Sequence, residues 1–262
     1  MLMRCVGDDI ARRGGAQVVR RLTHWESDMA VGKCLLNRAA IIVLGVISSA
    51  ALAAGAGIVA HVSGSLSAQA PGGSPRILSQ RSEVNPGDVL TTERDSYAQI
   101  NFTDGSAMTL RPNSSVKLDA YSYAKDKPQE DNMLLRLVRG GLRTVTGLVG
   151  RRGNADAYKI ATATATMGIR GSSGDTLECS QGCPGVTPTS DKLPPGVYHA
   201  THTGIYIAQN AAGSVLISPG QIGFVRDGNT PPTILPKDPG LSLSQLPFSL
   251  PPGGTSLECI VR

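Results

Sequence analysis

Four residues that could bind a metal ion or form a covalent cross-link lie in the second half of the chain. Cys179 and Cys183 are separated by three residues, and His199 and His202 follow them. Two thiolates and two imidazoles could form a zinc site. In an oxidising compartment, the two cysteines would instead close a small disulfide loop. We expect the disulfide, because a three-residue spacer is loose for zinc and no second Cys pair follows.

The two histidines are weak candidates for a shared site. Residues three apart on a β-strand point to opposite faces, so His199 and His202 are not expected to converge on one ligand. A hydrolase or metalloprotein built on them would also need acid–base partners, and the sequence offers none at a recognisable spacing. We therefore predict that the protein is not an enzyme and has no cofactor and no bound metal.

The sequence also places one arginine where it could brace the backbone or contact an anion. Arg170 lies between Gly168 and Gly171 at the end of the run Tyr158–Gly171, YKIATATATMGIRG. The two glycines permit a sharp backbone course on both sides of the guanidinium. Arg170 could be a buried brace that bonds backbone carbonyls, or it could contact an anionic ligand. We favour the brace, because glycine neighbours favour close backbone packing.

The segment before this run is basic. It contains five arginines that could share one face: Arg136, Arg139, Arg143, Arg151 and Arg152. The simplest interpretation is a solvated surface, and the alternative is an anion-binding patch.

Alternating apolar and polar residues predict that these side chains are carried by β-strands. Ile58–Gly64 reads as a first strand, and Asp88–Leu118 as a meander. Within the meander, Asp104 and Gly105 predict a tight hairpin, because Asp-Gly suits turns that need positive φ. Turn formation explains Asp104 better than catalysis does. The Tyr158–Gly171 run reads as one central strand.

Two further segments complete the strand prediction. Leu134–Val149 has apolar residues near helical spacing, but its glycines disfavour a helix, so we predict two short strands around Gly140-Gly141. Strands resume between residues 197 and 225. From Asp227 onward proline is frequent and periodicity fades, which predicts an extended tail in which Leu241, Leu243, Leu246 and Phe248 could dock.

The start of the chain predicts export. Lys33 and Arg38 precede a charge-free apolar run, Ala39–Ala60, which contains small-x-small motifs typical of signal-peptidase sites. A membrane anchor is the alternative, because the run approaches the length of a spanning helix. The polar residues 1–28 are long for a signal peptide, so Met29 is the expected true start. We expect a periplasmic or secreted protein, or an inner-membrane-anchored one if the leader is not cleaved.

The charge distribution argues against nucleic acid. The formal net charge is +5, but residues 1–53 contain seven basic and four acidic residues, so the remainder has a net charge of only +2. The basic character therefore belongs largely to the leader, and we expect no nucleic-acid partner. Aromatic residues make up only 4% of the chain, which also contains 31 glycines and 17 prolines; this balance favours short strands and turns.

Several motifs together resemble the FecR-domain family, named for a ferric citrate regulator. They are Gly87-Asp88-Val89-Leu90, Ala98–Arg111 (AQINFTDGSAMTLR), Arg139–Gly150 (RGGLRTVTGLVG), Ala161–Gly171 (ATATATMGIRG) and Gly213–Gln221. The resemblance implies an extracytoplasmic all-β module without catalysis. Regulators of this family also have a cytoplasmic anti-sigma domain, and the residues before the apolar run are too few for one. The chain is therefore expected to be similar to the short exported relatives.

These observations give one set of expectations. We predict an all-β fold, either a twisted multi-stranded sheet, a short β-solenoid or a sandwich, preceded by one hydrophobic helix. The expected divisions are a leader (1–56), a FecR-like β domain (57–226) and a Pro-rich tail (227–262). The expected function is binding of an envelope protein or cell-wall component, in envelope sensing or signalling. The alternative is a membrane-anchored regulator of sigma-factor signalling, with membrane contact only through an uncleaved leader.

Overall fold

The computed structural model describes residues 55–243 except 153 and 155, together with residues 246 and 247. The predicted leader helix lies outside the described residues, although the end of the apolar run, from Gly57, belongs to the first strand. The strands in chain order are β1 (Gly57–Ser63), β2 (Leu66–Gln69), β3 (Arg76–Leu78), β4 (Glu83–Val84), β5 (Val89–Thr92), β6 (Tyr97–Phe102), β7 (Ala107–Leu110), β8 (Ser115–Ser122), β9 (Asn132–Val145), β10 (Tyr158–Ala161), β11 (Thr166–Glu178), β12 (Val197–Asn210), β13 (Gly213–Ile217), β14 (Ile222–Val225) and β15 (Thr233–Ile234).

All of these strands join one mixed sheet that remains open. The predicted all-β class is confirmed, in the form of one multi-stranded sheet. Two short 3-10 helices, Pro128–Glu130 and Ser190–Lys192, interrupt the loops. Among the residues that the structure describes, no helix has the length and hydrophobicity to cross a membrane.

Three long strands, β9, β11 and β12, organise the sheet because each changes partners along its length. The first part of β9 pairs with β8 and, in parallel, with β10, whereas its last part pairs with β7 and β11. β11 pairs first with β10 and then with β9, and it follows β12 over most of its length. β12 in turn pairs with β14 at its start and with β13 at its end.

Each long strand bends at a glycine with positive φ. Gly140 in β9, Gly171 in β11 and Gly204 in β12 have φ values of +83°, +56° and +69°. The last two bends pack on each other, because a Cβ added to Gly204 would lie 2.7 Å from the carbonyl oxygen of Gly171. Glycine is therefore required at Gly204 both by backbone conformation and by space.

The structure corrects the prediction of one central strand at Tyr158–Gly171. The run is a hairpin: β10 ends at Ala161, a tight turn follows, and β11 begins at Thr166. The side chain of Thr162 makes the turn, since its Oγ1 accepts from the backbone N–H of Ala165 at 3.1 Å and donates to the carbonyl of Ala165 at 3.0 Å. Alternating Thr and Ala predicts extended backbone, but it does not reveal that a threonine can close a turn with its own hydroxyl.

Two other strand predictions need correction. The two short strands expected around Gly140-Gly141 are one continuous strand, β9, bent at Gly140. The expected meander is also incomplete. β6 and β7 form a hairpin around the predicted Asp104–Gly105 turn, but β5 pairs with β2 and β8 instead of β6.

The predicted domain boundary after residue 226 falls inside the fold. β15 pairs with β14 through Gly223–Ile234 and Phe224–Thr233. Leu241 and Leu243 are buried, with exposed fractions of 1% and 9%. The described residues beyond 226 therefore belong to the β domain.

Buried apolar side chains form two clusters. The larger one includes Ile100, Met108, Leu135, Ile160 and Tyr206 and joins nearly all the strands. The smaller one is built on the last half of the chain: Leu177, Cys179, Cys183, Val186, Tyr198, Ala200, Leu241 and Leu243. The smaller cluster joins the disulfide loop to the segment that was expected to be an extended tail.

A buried charge cluster and an exposed sheet face

One buried carboxylate contacts basic side chains from three other parts of the chain. Asp175 lies in β11, directly opposite Arg143 of β9. Arg111 follows β7, and its backbone N–H donates to the carbonyl of Gly141. His202 is in β12. We refer to Asp175, Arg111, Arg143 and His202 as the Asp175 cluster.

A β-bulge brings His202 into this cluster. Ser173 pairs with Thr203 and Gly174 pairs with Thr201, so His202 is the extra residue on β12. A bulge redirects the side chain of the unpaired residue. His202 therefore reaches Asp175, and its Nε2 donates to Oδ2 at 2.6 Å.

The two arginines bind both oxygens of the carboxylate. Arg111 Nη2 donates to Asp175 Oδ1 at 2.8 Å. Arg143 donates to Oδ2 from Nη2 at 2.6 Å and from Nε at 3.0 Å. The side chains of Asp175 and Arg111 are 0% and 1% exposed, so these are charge-assisted hydrogen bonds shielded from water.

The cluster keeps Asp175 ionised. Burial alone would raise the pKa of its carboxyl group, but the hydrogen bond from His202 and the charges and hydrogen bonds of Arg111 and Arg143 outweigh it. The pKa of Asp175 is lowered to about 2. A carboxylate with this pKa is a poor proton acceptor near neutral pH, so its role is to hold cations in place.

The carbonyl of Leu243 completes the cluster. Arg111 Nη2 and Arg143 Nη2 donate to this oxygen at 2.8 Å and 2.7 Å. Arg143 of β9 and Arg111, the residue after β7, thus both contact Leu243, which is the last buried residue that the structure describes.

His199 is a buried structural residue next to this cluster. Its side chain is 0% exposed, its Nδ1 hydrogen-bonds Thr176 Oγ1 at 2.9 Å, and its ring centre lies 3.9 Å from that of Tyr206. Burial lowers the pKa of His199 to about 3. The imidazole is therefore neutral at physiological pH.

Part of the chain that forms this cluster matches a known protein family. Residues 88–182 match the model of the family described as FecR protein. These residues match a FecR domain. The expected family is thus confirmed, and no curated protein matches the chain.

Two crystal structures are similar to this chain. Both are of a protein from Parabacteroides distasonis described as a "putative anti-sigma factor", at 13% and 14% sequence identity and a TM-score of 0.39. Each similarity covers 56% of this chain and 57% of that protein. This chain therefore spans just over half the length of the solved structures that it matches.

The FecR match does not contain the whole Asp175 cluster. Arg111, Arg143 and Asp175 lie inside residues 88–182, whereas His202 and Leu243 lie after them. The part of the chain after the match therefore supplies two of the contacts that complete the cluster, one from β12 and one from the segment after β15.

The structure places Arg170 differently from the expected brace. Its side chain is exposed on β11, and among the described residues it makes no ion pair. Gly171 makes the bend after it, but Gly168 lies in extended strand with open space around it, since an added Cβ would come no closer than 3.9 Å to Ile207. Among the arginines that the structure describes, the buried one is Arg111.

The five predicted basic residues do not form one patch. Arg136 Nε binds Asp119 Oδ2 at 2.6 Å, and Arg152 Nε binds Asp131 Oδ2 at 3.0 Å. Arg143 belongs to the Asp175 cluster. Arg139 and Arg151 occupy two further, separate places.

Arg139 is exposed and lines a cleft of about 520 Å³ together with Arg94, Asn113 and Asp191. The other wall of this cleft is the disulfide loop. Arg151 packs beside the bend of β11, where a Cβ on Gly171 would lie 3.7 Å from its Cγ. The basic segment is therefore divided among several local contacts.

The predicted Asp104–Gly105 turn also fixes the segment that follows β9. Gly105 has φ +82°, as the hairpin requires. Asp104 is buried and accepts hydrogen bonds from Ser106 and from the backbone N–H of Val149 at 3.1 Å. Its role is thus structural.

Cys179 and Cys183 form a disulfide with a Cα–Cα distance of 4.7 Å. The oxidised sulfurs cannot serve as thiolate ligands to zinc. Within the described part of the chain, no group of three or more His, Cys, Asp or Glu side chains is arranged to hold a metal ion.

Proposed function

We propose that this chain is an exported, non-enzymatic FecR-domain protein that binds a partner protein in envelope sensing or signalling. The match of residues 88–182 to the FecR family supports a signalling or regulatory role. The observation that carries the binding proposal is an exposed face of the sheet on strands β11, β12 and β13.

This outer face consists of Gly168, Arg170, Ile205, Ile207 and Leu216. Gly168 pairs with Ile207, Arg170 pairs with Ile205, and Leu216 pairs with Ile207 from the other side. Directly paired residues point to the same face of a sheet. The neighbours in sequence, such as Ile169 and Tyr206, are buried, so these five residues point outward.

The outer face is apolar at its centre and basic at its margin. Ile205 and Leu216 are 46% and 59% exposed. Gly168 has no side chain to cover Ile207, which leaves a flat surface. The outward positions of the described strands β10 to β13 include Lys159 and Arg170 but no Asp or Glu. Such a surface fits a protein segment with apolar side chains and an acidic residue opposite Arg170.

Several features support a role other than catalysis. Asp175 is ionised, buried and saturated by two arginines, so it is poorly suited to accept a proton. In the part of the chain that the structure describes, no Ser, Thr or Cys side chain hydrogen-bonds His202, which would be expected of an Asp–His pair that activates a nucleophile.

Photo-crosslinking in intact cells tests the partner surface. A photoreactive amino acid at position 216 should capture one envelope protein, and the charge reversal Arg170→Glu should abolish the product. The matched control is position 77, since Ile77 is 76% exposed on β3, outside the outer face. Equal capture from positions 77 and 216, or capture of cell-wall material alone, would refute a protein partner at this face.

Export has a separate test. If the domain is extracytoplasmic, Cys179 and Cys183 should be protected from a thiol-alkylating reagent in cells until a reductant is added. Fractionation of the same cells should place the protein in the periplasm or the medium. Reduced cysteines in a cytosolic fraction would contradict export, and an uncleaved membrane-bound species would favour the anchored regulator instead.

A further inference from the structure

The charges of the Asp175 cluster do not balance. Arg111 and Arg143 supply two guanidinium groups, and Asp175 supplies one carboxylate. The remaining acceptor that both arginines contact is the Leu243 carbonyl, at 2.8 Å and 2.7 Å. A carbonyl oxygen carries only a dipole, so one positive charge in this largely buried place has no anionic partner within the cluster.

Arg111 also has an unused donor. Its Nε is buried and has no hydrogen-bond partner among the described residues, although the side chain is only 1% exposed. A guanidinium presents a fork of donors that matches the two oxygens of a carboxylate, whereas a carbonyl offers one oxygen. The excess charge and the unpaired Nε therefore point to the same ligand chemistry.

The segment that supplies the carbonyl is held mainly by other contacts. Asp238 Oδ1 accepts from the backbone N–H groups of Gly240 and Leu241, both at 2.8 Å, which closes a turn within the segment. Thr189 Oγ1 donates to the carbonyl of Gly240 and ties this turn to the rest of the chain. Leu241 is 1% exposed. We call residues 238–243 the strap. Because its start is fixed independently, Leu243 can withdraw without release of the whole strap.

We propose that Arg111 and Arg143 form a carboxylate-binding site, which the Leu243 carbonyl of the strap occupies in the absence of ligand. A carboxylate would supply the missing negative charge and a second acceptor oxygen. The carboxylate could come from a free small acid or from the terminus of a peptide. This site is separate from the outer face, and its test does not depend on the partner proposed above.

The strap should lower the apparent affinity, because the site is open only in the fraction of molecules in which Leu243 has withdrawn. The substitution Leu243→Ala in the full chain removes part of the docking surface and leaves the arginines unchanged. It should raise the open fraction and tighten carboxylate binding by about tenfold. Thermal unfolding followed by circular dichroism establishes that the variant is folded.

Isothermal titration with three probes gives the test. The probes are acetate, an N-acetylated Ala-Ala-Ala peptide with a free C-terminal carboxylate, and the same peptide with a C-terminal amide. The acid peptide should bind the Leu243→Ala chain, and the amide should not. Binding of acetate as well as of the acid peptide would identify any small carboxylate as sufficient, whereas binding of the peptide alone would assign the site to a chain terminus.

Arg143→Gln should abolish binding, because the side chain keeps its approximate length but loses its charge. The matched control is Arg139→Gln, which removes an exposed charge from the same strand without touching Asp175. If Arg143→Gln does not fold, the Nε–H resonances of the arginines in the Leu243→Ala chain provide a second measurement, and those of Arg111 and Arg143 should shift on addition of the acid peptide.

Three results would overturn the proposal. They are equal binding of the acid and the amide peptide, equal loss of binding in Arg139→Gln and Arg143→Gln, and unchanged or absent binding by Leu243→Ala without shifts of the arginine resonances.

Discussion

Asp175 connects more of the chain than any single apolar contact described above. Its carboxylate is reached from β9, from the residue after β7 and from the bulge of β12. Buried ion pairs contribute little over an apolar replacement of the whole group, but removal of one partner is costly because it leaves the others charged and unpaired. Loss of Asp175 should therefore affect the stability of the entire β domain.

We expect Asp175→Asn to lower the free energy of unfolding by about 3–5 kcal/mol, since it leaves two buried guanidinium groups with one neutral amide. Urea denaturation followed by circular dichroism measures this change. The matched control is Asp119→Asn, which breaks the pairs with Arg136 and Lys117, whose side chains are 51% and 40% exposed. That control should cost less than ~1 kcal/mol. Equal losses in the two variants would contradict the role of Asp175.

His199 should make stability depend on pH. Burial lowers the pKa of His199 to about 3 in the folded protein, from the ordinary histidine value of 6.5. Between these values the unfolded chain binds a proton that the folded chain does not bind. Stability is therefore fully present above pH ~6.5 and falls as the pH decreases, by about 1.4 kcal/mol per pH unit from this residue.

The measurement is urea denaturation of the wild type and of His199→Phe between pH 4.5 and 7. This range lies above the interval between the pKa of about 2 of folded Asp175 and the ordinary aspartate pKa of 3.8, in which Asp175 makes its own contribution to the slope. The slope of stability against pH should become flatter in His199→Phe and should be kept in His61→Gln, which changes a histidine exposed on β1. A slope unchanged by His199→Phe would show that His199 is not the titrating group.

Residue types predicted some of these roles and not others. Asp104-Gly105 was identified as a turn because that dipeptide has local geometry of its own. The pairing of Arg111 with Asp175 spans 64 residues and depends on how β7, β9 and β11 are aligned, which no local pattern reports. Arg170 was expected to be buried because of its glycines, but Gly171 serves the bend of the strand and leaves the guanidinium outside.

At the scale of elements, the segment after β9 is fastened to the β6–β7 hairpin. A Cβ on Gly147 would lie 2.3 Å from the backbone N of Ser106 and 2.4 Å from the carbonyl oxygen of Asp104. The backbone N–H of Gly147 also donates to Ser106 Oγ at 2.8 Å. This close approach leaves no room for a side chain at Gly147.

We expect Gly147→Ala to destabilise the protein by about 1–3 kcal/mol, because the added methyl group must push two backbone segments apart. The control is Gly168→Ala, at a position with open space, which should change stability by less than ~0.5 kcal/mol. Thermal unfolding of the three proteins provides the comparison. A Gly147→Ala protein as stable as the wild type would mean that the contact between the segment and the hairpin is dispensable.

The strand prediction succeeded where apolar alternation was sustained, as in β6 and β7, and failed where a strand bends or turns. Gly140-Gly141 resembles a turn, so the sequence predicts two strands there. In the structure, Gly140 only bends the single strand β9 between two sets of partners. In Thr162–Ala165 the reverse occurred, since a turn closed by a threonine hydroxyl has the composition of a strand.

At the scale of the whole molecule, residues 227–243 complete the fold. Their proline content concealed this, because prolines between short contact points remove the periodicity on which a sequence prediction depends. Leu241 and Leu243 nevertheless pack on Leu177, Tyr198 and the disulfide.

A chain that ends at residue 226 should therefore be less stable than one that ends at residue 247. The loss of two buried leucines alone predicts a decrease of about 3–6 kcal/mol in the free energy of unfolding. Urea denaturation of the two proteins under oxidising conditions measures the difference. Equal urea midpoints would indicate that residues 227–247 contribute nothing to the domain.

One of the long strands pairs with a strand that lies outside the FecR match. A polypeptide restricted to residues 88–182 would retain β11 but lack β12, which pairs with it from Thr166 to Glu178. Its hydrogen-bonding groups on that side would then form a long open sheet edge, and such edges recruit other chains. Material prepared from the matched region alone should consequently aggregate, whereas material that extends through residue 243 keeps this edge covered.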